Sequence, residues 1–248
     1  MKAHLKQGFT MIELLVVIVI IGVLSASLFP AVSSFMLKGK LTGMAGKAGK
    51  IVKAMVQAET DETYAGRVWP SDSVEETEDE DTNGPKMNRT FTSTADYFTE
   101  ALYVKETNPK TRENKKVLKG VDPSDIAGEG VPAASGTQIK EANCAWILAK
   151  NTSGVPEKTP VLVTRNVETQ VLVGLAGNDT STDYEKLLTT KKPFEKDGCV
   201  IAYKDSSTKT FTSGDVKAKG MLPGLGPSKL SDFEANGNKF DFLRGSSN

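Results

Sequence analysis

Hydrophobic and polar positions divide the chain into three regimes. In the first, every residue of 14–24 is apolar or glycine, and with its flanks the run extends over residues 9–32. A helix of that length crosses a bilayer, whose hydrocarbon core is ~30 Å thick. Valine and isoleucine dominate the run. They favour strands in water, but in lipid each backbone amide must bond within its own segment, which enforces helix. In the second regime, from Phe35 to about Asp61, the period changes. Leu37, Leu41, Met44, Ala48, Ile51 and Met55 recur at steps of four and three, forming one apolar stripe. Lys38, Lys40, Lys47, Lys50 and Lys53 lie mostly off that stripe, on a solvated face or against lipid head groups. The pattern predicts that the helix continues as an amphipathic half resting on a sheet made by later residues. Gly39, Gly43, Gly46 and Gly49 each weaken it by roughly 1 kcal/mol against alanine; they are expected to serve packing.

In the third regime the apolar segments are short. Residues 93–102 read as a helix with an N-cap at Ser93 or Thr94 and a buried side of Tyr97, Phe98, Ala101 and Leu102. Residues 108–137 are rich in Pro, Gly and Lys and predict loop with one or two brief strands. Segments rich in Val, Ile and Leu and bounded by turn residues predict strands at 145–149, 160–164, 171–175, 199–203 and 209–211. A helical turn is expected at 184–188 and a loop from Gly220, while residues 233–243 close the sheet or form a short terminal element. The fold class expected is α+β. One long N-terminal helix, membrane-spanning in its first half and amphipathic in its second, packs on a mainly antiparallel sheet.

Charge and composition narrow the chemistry. Basic and acidic residues both number 31, so nothing favours nucleic acid. The one histidine, His4, precedes the apolar run, which leaves the rest of the chain without the commonest acid–base group and metal ligand. There is no G-x-S-x-G, no phosphate-cradling G-x-x-x-x-G-K and no isolated carboxylate pair, so no enzyme and no cofactor is expected. The acidic run at 71–81 predicts a solvated loop; it lacks the turn glycine and spaced ligands of a calcium loop, and no metal is expected. Lys2 and Lys6 before the apolar run, with no acidic residue among them, predict a cytoplasmic N-terminus and an exterior remainder. In an oxidising exterior compartment Cys144 and Cys199 are a possible disulfide; two buried free thiols are the alternative. Without histidine, two cysteines are too few for zinc.

The most specific feature is the start of the apolar run. Gly8 is followed by Phe9, Thr10, Met11, Ile12 and Glu13, with Pro30 near the far end. A carboxylate inside a membrane run is costly and calls for a partner. Thr10 and Glu13 have the spacing of a capping box, which satisfies backbone donors at a helix start. An ordinary secretory signal, cut near Ser25, Ala26 and Ser27, is the competing explanation, and Glu13 argues against it.

This stretch, from Lys2 to about Pro30, closely resembles the N-terminus of type IV prepilins and of type II secretion pseudopilins. The order of later segments, GRVWP at Gly66, STADYF at Ser93, NCAW at Asn143 and TPVLVTRN at Thr159, resembles long pseudopilin-like proteins of environmental bacteria. The resemblance implies a leader at 1–8, a transmembrane and filament-core helix at 9–32, its amphipathic continuation at 33–62 and an exterior α+β domain at 63–248. It implies cleavage after Gly8 by a prepilin peptidase, methylation of the new amine of Phe9, and a kink or melting point at Pro30. Glu13 would then serve assembly by meeting the Phe9 amine of a neighbouring copy. The implied partners are copies of this chain, related pilin subunits, the peptidase, an inner-membrane assembly platform and lipid before assembly. The implied product is a structural subunit of a type II secretion pseudopilus or a type IV pilus, in the bacterial inner membrane and then in a periplasmic or surface filament. In the family some pseudopilins bind calcium near the C-terminus, but Asp232, Asn236, Asn238 and Asp241 do not form a convincing version. The alternative function is an exterior binding module or enzyme that uses the helix only as a tether.

Overall fold

A computed structural model describes residues 9–60, 68–72, 90–103, 106–107, 114–152, 154–177, 186–216, 221–223, 225–235 and 237–243. The chain divides into two compact units, residues 1–40 and 41–248. Helix α1, Met11–Glu59, begins in the first and ends in the second, so the two predicted helical halves are one uninterrupted element that includes Pro30. In the first unit the described large apolar side chains from Phe9 to Met36 are exposed. In the second, Leu41, Met44, Ala48, Ile51 and Met55 of the expected stripe are buried, joined by Val52, Ala54 and Ala58, while Leu37, in the first unit, is half-buried. At the far end of α1 the Trp69 indole donates to Glu59 Oε2 at 2.8 Å, tying the next segment to the last turn.

The glycines of α1 are the exception to the expected packing. A Cβ added at Gly39, Gly43 or Gly46 meets nothing within 4 Å; only Gly49 sits close to the sheet, 3.4 Å from Thr208 Cγ2. Three of the four therefore lower helix propensity without an intramolecular contact to explain them.

The next elements in chain order are α2 (Thr94–Tyr103), the strand pair β1 (Glu106–Thr107) and β2 (Asn114–Lys115), and α3 (Pro123–Ala127). Strands β3 (Trp146–Lys150) and β4 (Pro160–Thr164), helix α4 (Thr169–Gly174), strands β5 (Gly198–Tyr203) and β6 (Thr208–Thr212), and α5 (Ser213–Val216) follow. The chain closes with β7 (Glu234–Ala235), β8 (Asn238–Lys239) and β9 (Asp241–Phe242). The main sheet is antiparallel throughout, in the order β6-β5-β4-β3-β9. Every residue of β4 and β5 is buried. A sheet covered on both faces needs continuous apolar runs rather than alternation, which is why 160–164 and 199–203 read so clearly. On one face Leu41 of α1 lies beside Gly198. On the other the Tyr203 hydroxyl donates to the carbonyl of Met221 at 2.9 Å. Residues 241–242 do close the sheet, pairing with Ala149 and Lys150.

Ser93 is the N-cap expected for α2: its hydroxyl accepts from the Asp96 amide at 3.2 Å and donates to the Asp96 carboxylate at 2.9 Å. The Thr94 hydroxyl joins α2 to the sheet, accepting from the Leu148 amide and donating to the Leu243 carbonyl, both at 3.1 Å.

Two expectations need correction. The segment expected as a strand at 171–175 is helix α4. Only Leu172 and then Leu175 are buried, a spacing of three that suits a helical turn, and Glu168 caps it by accepting from the Gln170 amide. Helix α3 was not expected within 108–137. Asp122 starts it with a capping box to Asp125 and Pro123 sits in its first turn, an N-terminal arrangement that favours helix over loop. Of the turn expected at 184–188 only 186–188 are described; there Leu187 and Leu188 are buried and Leu188 bridges to Val167. Most of the acidic run at 71–81 lies outside the described residues.

Candidate functional site

The start of α1 is built by its own sequence. The Thr10 hydroxyl accepts from the Glu13 amide at 3.4 Å, while Glu13 Oε2 accepts from the Thr10 amide at 2.8 Å and from the Thr10 hydroxyl at 2.7 Å. The Thr10 carbonyl accepts the first helical bond, from Leu14 at 3.3 Å. This is a reciprocal capping box. It satisfies two donors that a helix start otherwise leaves unpaired. The carboxylate therefore has a local partner, engages it through one oxygen, and keeps Oε1 outside the box. Phe9, immediately before the box, is 81 % exposed. Gly8 lies outside the described residues, and Pro30 falls inside α1.

Residues 4–29 match the prokaryotic N-terminal methylation motif, the signature of type IV pilins and pseudopilins. The match covers Gly8, Phe9, Thr10 and Glu13 and stops one residue before Pro30. The motif supports a type IV pilin-like prepilin substrate. No curated protein and no solved structure matches the chain.

Among the described residues no helix is long and apolar enough to cross a membrane. Among the described residues there is also no group of three His, Cys, Asp or Glu placed to hold a metal ion.

The possible disulfide is not formed: Cys144 and Cys199 are separate, buried free thiols. The sheet explains why. Trp146 pairs with Thr164, the Arg165 amide donates to the Ala145 carbonyl, and Val163 pairs with Ile201. Continuing those registers aligns Ala145, Arg165 and Cys199 across three strands. Cys144 adjoins Ala145 beside β3 and Cys199 lies in β5, so β4 stands between them. Two inter-strand spacings amount to about 9.6 Å, beyond the ~7 Å that a disulfide spans between Cα atoms. Cys144 instead donates to the Trp146 carbonyl at 3.4 Å. Burial pushes both thiols up to about 12.

Two polar anchors of the second unit went unnoticed in the sequence. Lys50 of α1 pairs with Asp125 at 2.6 Å and with Asp122 at 3.7 Å, and Lys47 donates to the Ser124 carbonyl at 2.8 Å. The Asp125 carboxylate holds Lys50 above its ordinary value. These lysines fasten α1 to α3 rather than facing only water. The other anchor is Asn151, buried at a positive φ of 58°. Its amide nitrogen donates to Asp72 at 3.0 Å and to the Lys239 carbonyl at 2.7 Å, and its oxygen accepts from the Asp72 amide at 2.9 Å. Burial pushes Asp72 up; the Lys150 ammonium at 2.7 Å and the Asn151 amide outweigh it and leave the carboxyl below its ordinary value. The Asp-Pro pair before α3 was a legible helix-start signal; nothing local to Asn151 announces its role.

Proposed function

We propose that this chain is the subunit of a type II secretion pseudopilus or type IV pilus, cleaved between Gly8 and Phe9 and methylated on the amine of Phe9. Before assembly, residues 9–32 anchor it in the bacterial inner membrane, with the exterior unit outside the cytoplasm. The anchor in this reading runs on through Ser27, Leu28, Phe29, Pro30, Ala31 and Val32, a mostly apolar continuation. Pro30 removes one helical amide donor and gives the helix a place to bend as it leaves lipid for the filament.

The observation that carries this proposal is the capped, exposed apolar half of α1 beneath the methylation motif. Cleavage creates a cationic amine on Phe9, next to the box. In a bundle of such helices the Glu13 carboxylate of one copy meets the Phe9 amine of another. A charge in that low-dielectric setting needs a partner, and only one axial stagger supplies it. The partners are copies of this chain, related subunits, the peptidase and an inner-membrane assembly platform. No catalytic or cofactor-binding role is assigned to it.

Mass spectrometry of the mature N-terminus, with and without the peptidase, tests the proposal together with imaging of sheared surface material. A start at methylated Phe9 that depends on the peptidase is expected. A start near Leu28 would instead indicate a secreted product. Peptidase-independent export with no filament would indicate a mere tether.

A further inference from the structure

We infer that the second unit carries a redox-sensitive folding checkpoint: Cys144 and Cys199 can join only in a chain whose sheet has not formed, and joining them blocks the sheet. The two thiols are 55 positions apart in sequence, a distance that an unfolded chain closes readily, with the entropic cost rising only slowly with loop length. In the folded chain β4 stands between them, because the strand order is β5-β4-β3 and Arg165 of the β4 end bonds to Ala145. Bonding the two sulfurs would pull residue 144 and residue 199 within ~7 Å. That displaces the part of β4 around Thr164 and Arg165, whose bonds to both neighbours hold the sheet: the Arg165 amide on Ala145 at 2.8 Å and the Thr164 hydroxyl accepting from Val200 at 3.2 Å. Asn166, fully buried just beyond, donates to the Gly198 carbonyl at 2.7 Å and would lose that bond too.

The chemistry is ordinary thiol oxidation. Two S–H bonds break, one S–S bond forms, and two protons and two electrons pass to an oxidant. In an exterior compartment that oxidant is a disulfide-bearing protein or small molecule, reduced to two thiols. The folded chain resists because the reacting species is the thiolate, and both sulfurs are sealed, at 1 % and 0 % residue exposure. Folding must therefore precede contact with the oxidant, and a chain oxidised first is withheld from assembly. The cellular meaning rests on the proposed exterior location; the incompatibility of disulfide and sheet does not.

The test uses the full chain in mild detergent, with diamide as oxidant; its N=N bond takes up the two electrons and two protons. One sample is oxidised while folded, the other in urea at low protein concentration and then returned to detergent. Free thiols are counted by the mass added by a maleimide, and folding is followed by the emission of buried Trp146. Cross-linking of the folded sample is expected to be at least about a thousandfold slower than in urea, the scale set by the unfolded fraction. The urea-oxidised sample is expected to carry no free thiol, to lack native emission, and to recover it on adding dithiothreitol. A Cys144→Ala, Cys199→Ala double variant should refold equally with and without diamide. Native emission from the cross-linked monomer, cross-linking of folded chain at the urea rate, or a diamide-dependent refolding defect in the double variant would each overturn the inference. Because none of these readouts involves filaments, failure here leaves the proposed function standing, and failure there leaves this result standing.

Discussion

Alanine at Gly43 and Gly46 is expected to make the protein more stable. Both residues lie inside α1, and a Cβ built on either one has no atom within 4 Å to meet. Glycine in a helix interior costs roughly 0.8–1 kcal/mol against alanine, chiefly through backbone entropy. With no shared partner the two gains should add, to about 2 kcal/mol. For a unit of this size 1 kcal/mol moves the melting temperature by roughly 2–4 °C, so the double variant should melt about 4–8 °C higher. Gly128 makes the contrast. Its φ is +70°, and a Cβ there would lie 2.6 Å from Met44 Cε, 2.7 Å from Met44 Sδ and 2.9 Å from Ala145 Cβ. Overpacking plus a left-handed backbone costs on the order of 2–4 kcal/mol, so Gly128→Ala should melt well below the parent. Far-UV circular dichroism against temperature, on full-length protein in mild detergent, reads all three. A lower melting temperature for the Gly43/Gly46 double variant would show that these glycines are packed within the unit after all. An unchanged one for Gly128→Ala would remove Met44 from its place against α3.

Glu13→Gln keeps an acceptor for the capping box but removes the charge, whereas Thr10→Ala removes only the hydroxyl's part of the box. If charge governs assembly, both Glu13→Gln and Glu13→Ala should be processed yet form no filaments, while Thr10→Ala should assemble with a modest loss; equal defects in imaging of sheared material would point to the cap instead. The two thiols stay protonated in the folded chain until about pH 12 but ionise near 9 when unfolded. The unfolded state then holds fewer protons, so their contribution to stability is intact below pH 9 and declines as the pH rises toward 12. In urea titrations at pH 8 and 10.5, the Cys144→Ala, Cys199→Ala variant should lose less stability over that interval than the parent. Asn151→Ala removes the bonds to Asp72 and Lys239 and puts alanine at positive φ, which should cost roughly 2–4 kcal/mol in chemical denaturation; a change below ~0.5 kcal/mol would refute its anchoring role.

The parts of this fold legible in the sequence are those where one environment acts on consecutive residues. The stripe from Leu41 to Met55 was readable because a single helix face is buried, and β4 and β5 because both of their faces are. Residues 171–175 misled for the same reason in reverse. A short valine-rich run has no period of its own, and the choice of helix came from Leu172 and Leu175 alone facing the interior. The pairing of Cys144 with Cys199 could not be judged from composition and compartment, since it depends on which strand lies between them. That order is set by long-range pairing that no local pattern encodes. At the candidate site the capping box was fully legible, because Thr10 and Glu13 are three residues apart and need only a helix to meet.

Exposure in the first unit also constrains how it can be covered. From Leu14 to Ile21 every consecutive side chain is exposed and apolar, so the apolar surface runs all the way round the helix. A one-sided groove on a partner would leave half of it in water. A helix apolar on every side needs an environment that surrounds it, and two environments do so: lipid, and a bundle of like helices. Glu13 must be accommodated in both. In lipid its own Thr10 serves it through the capping box. In the filament proposed above, the cation that cleavage before Phe9 would create recurs at every subunit, so the same carboxylate would gain a neighbour's charge without giving up its cap. On that proposal a single residue would be tolerable before assembly and better satisfied after it, and the difference would give transfer from membrane to filament a preferred direction.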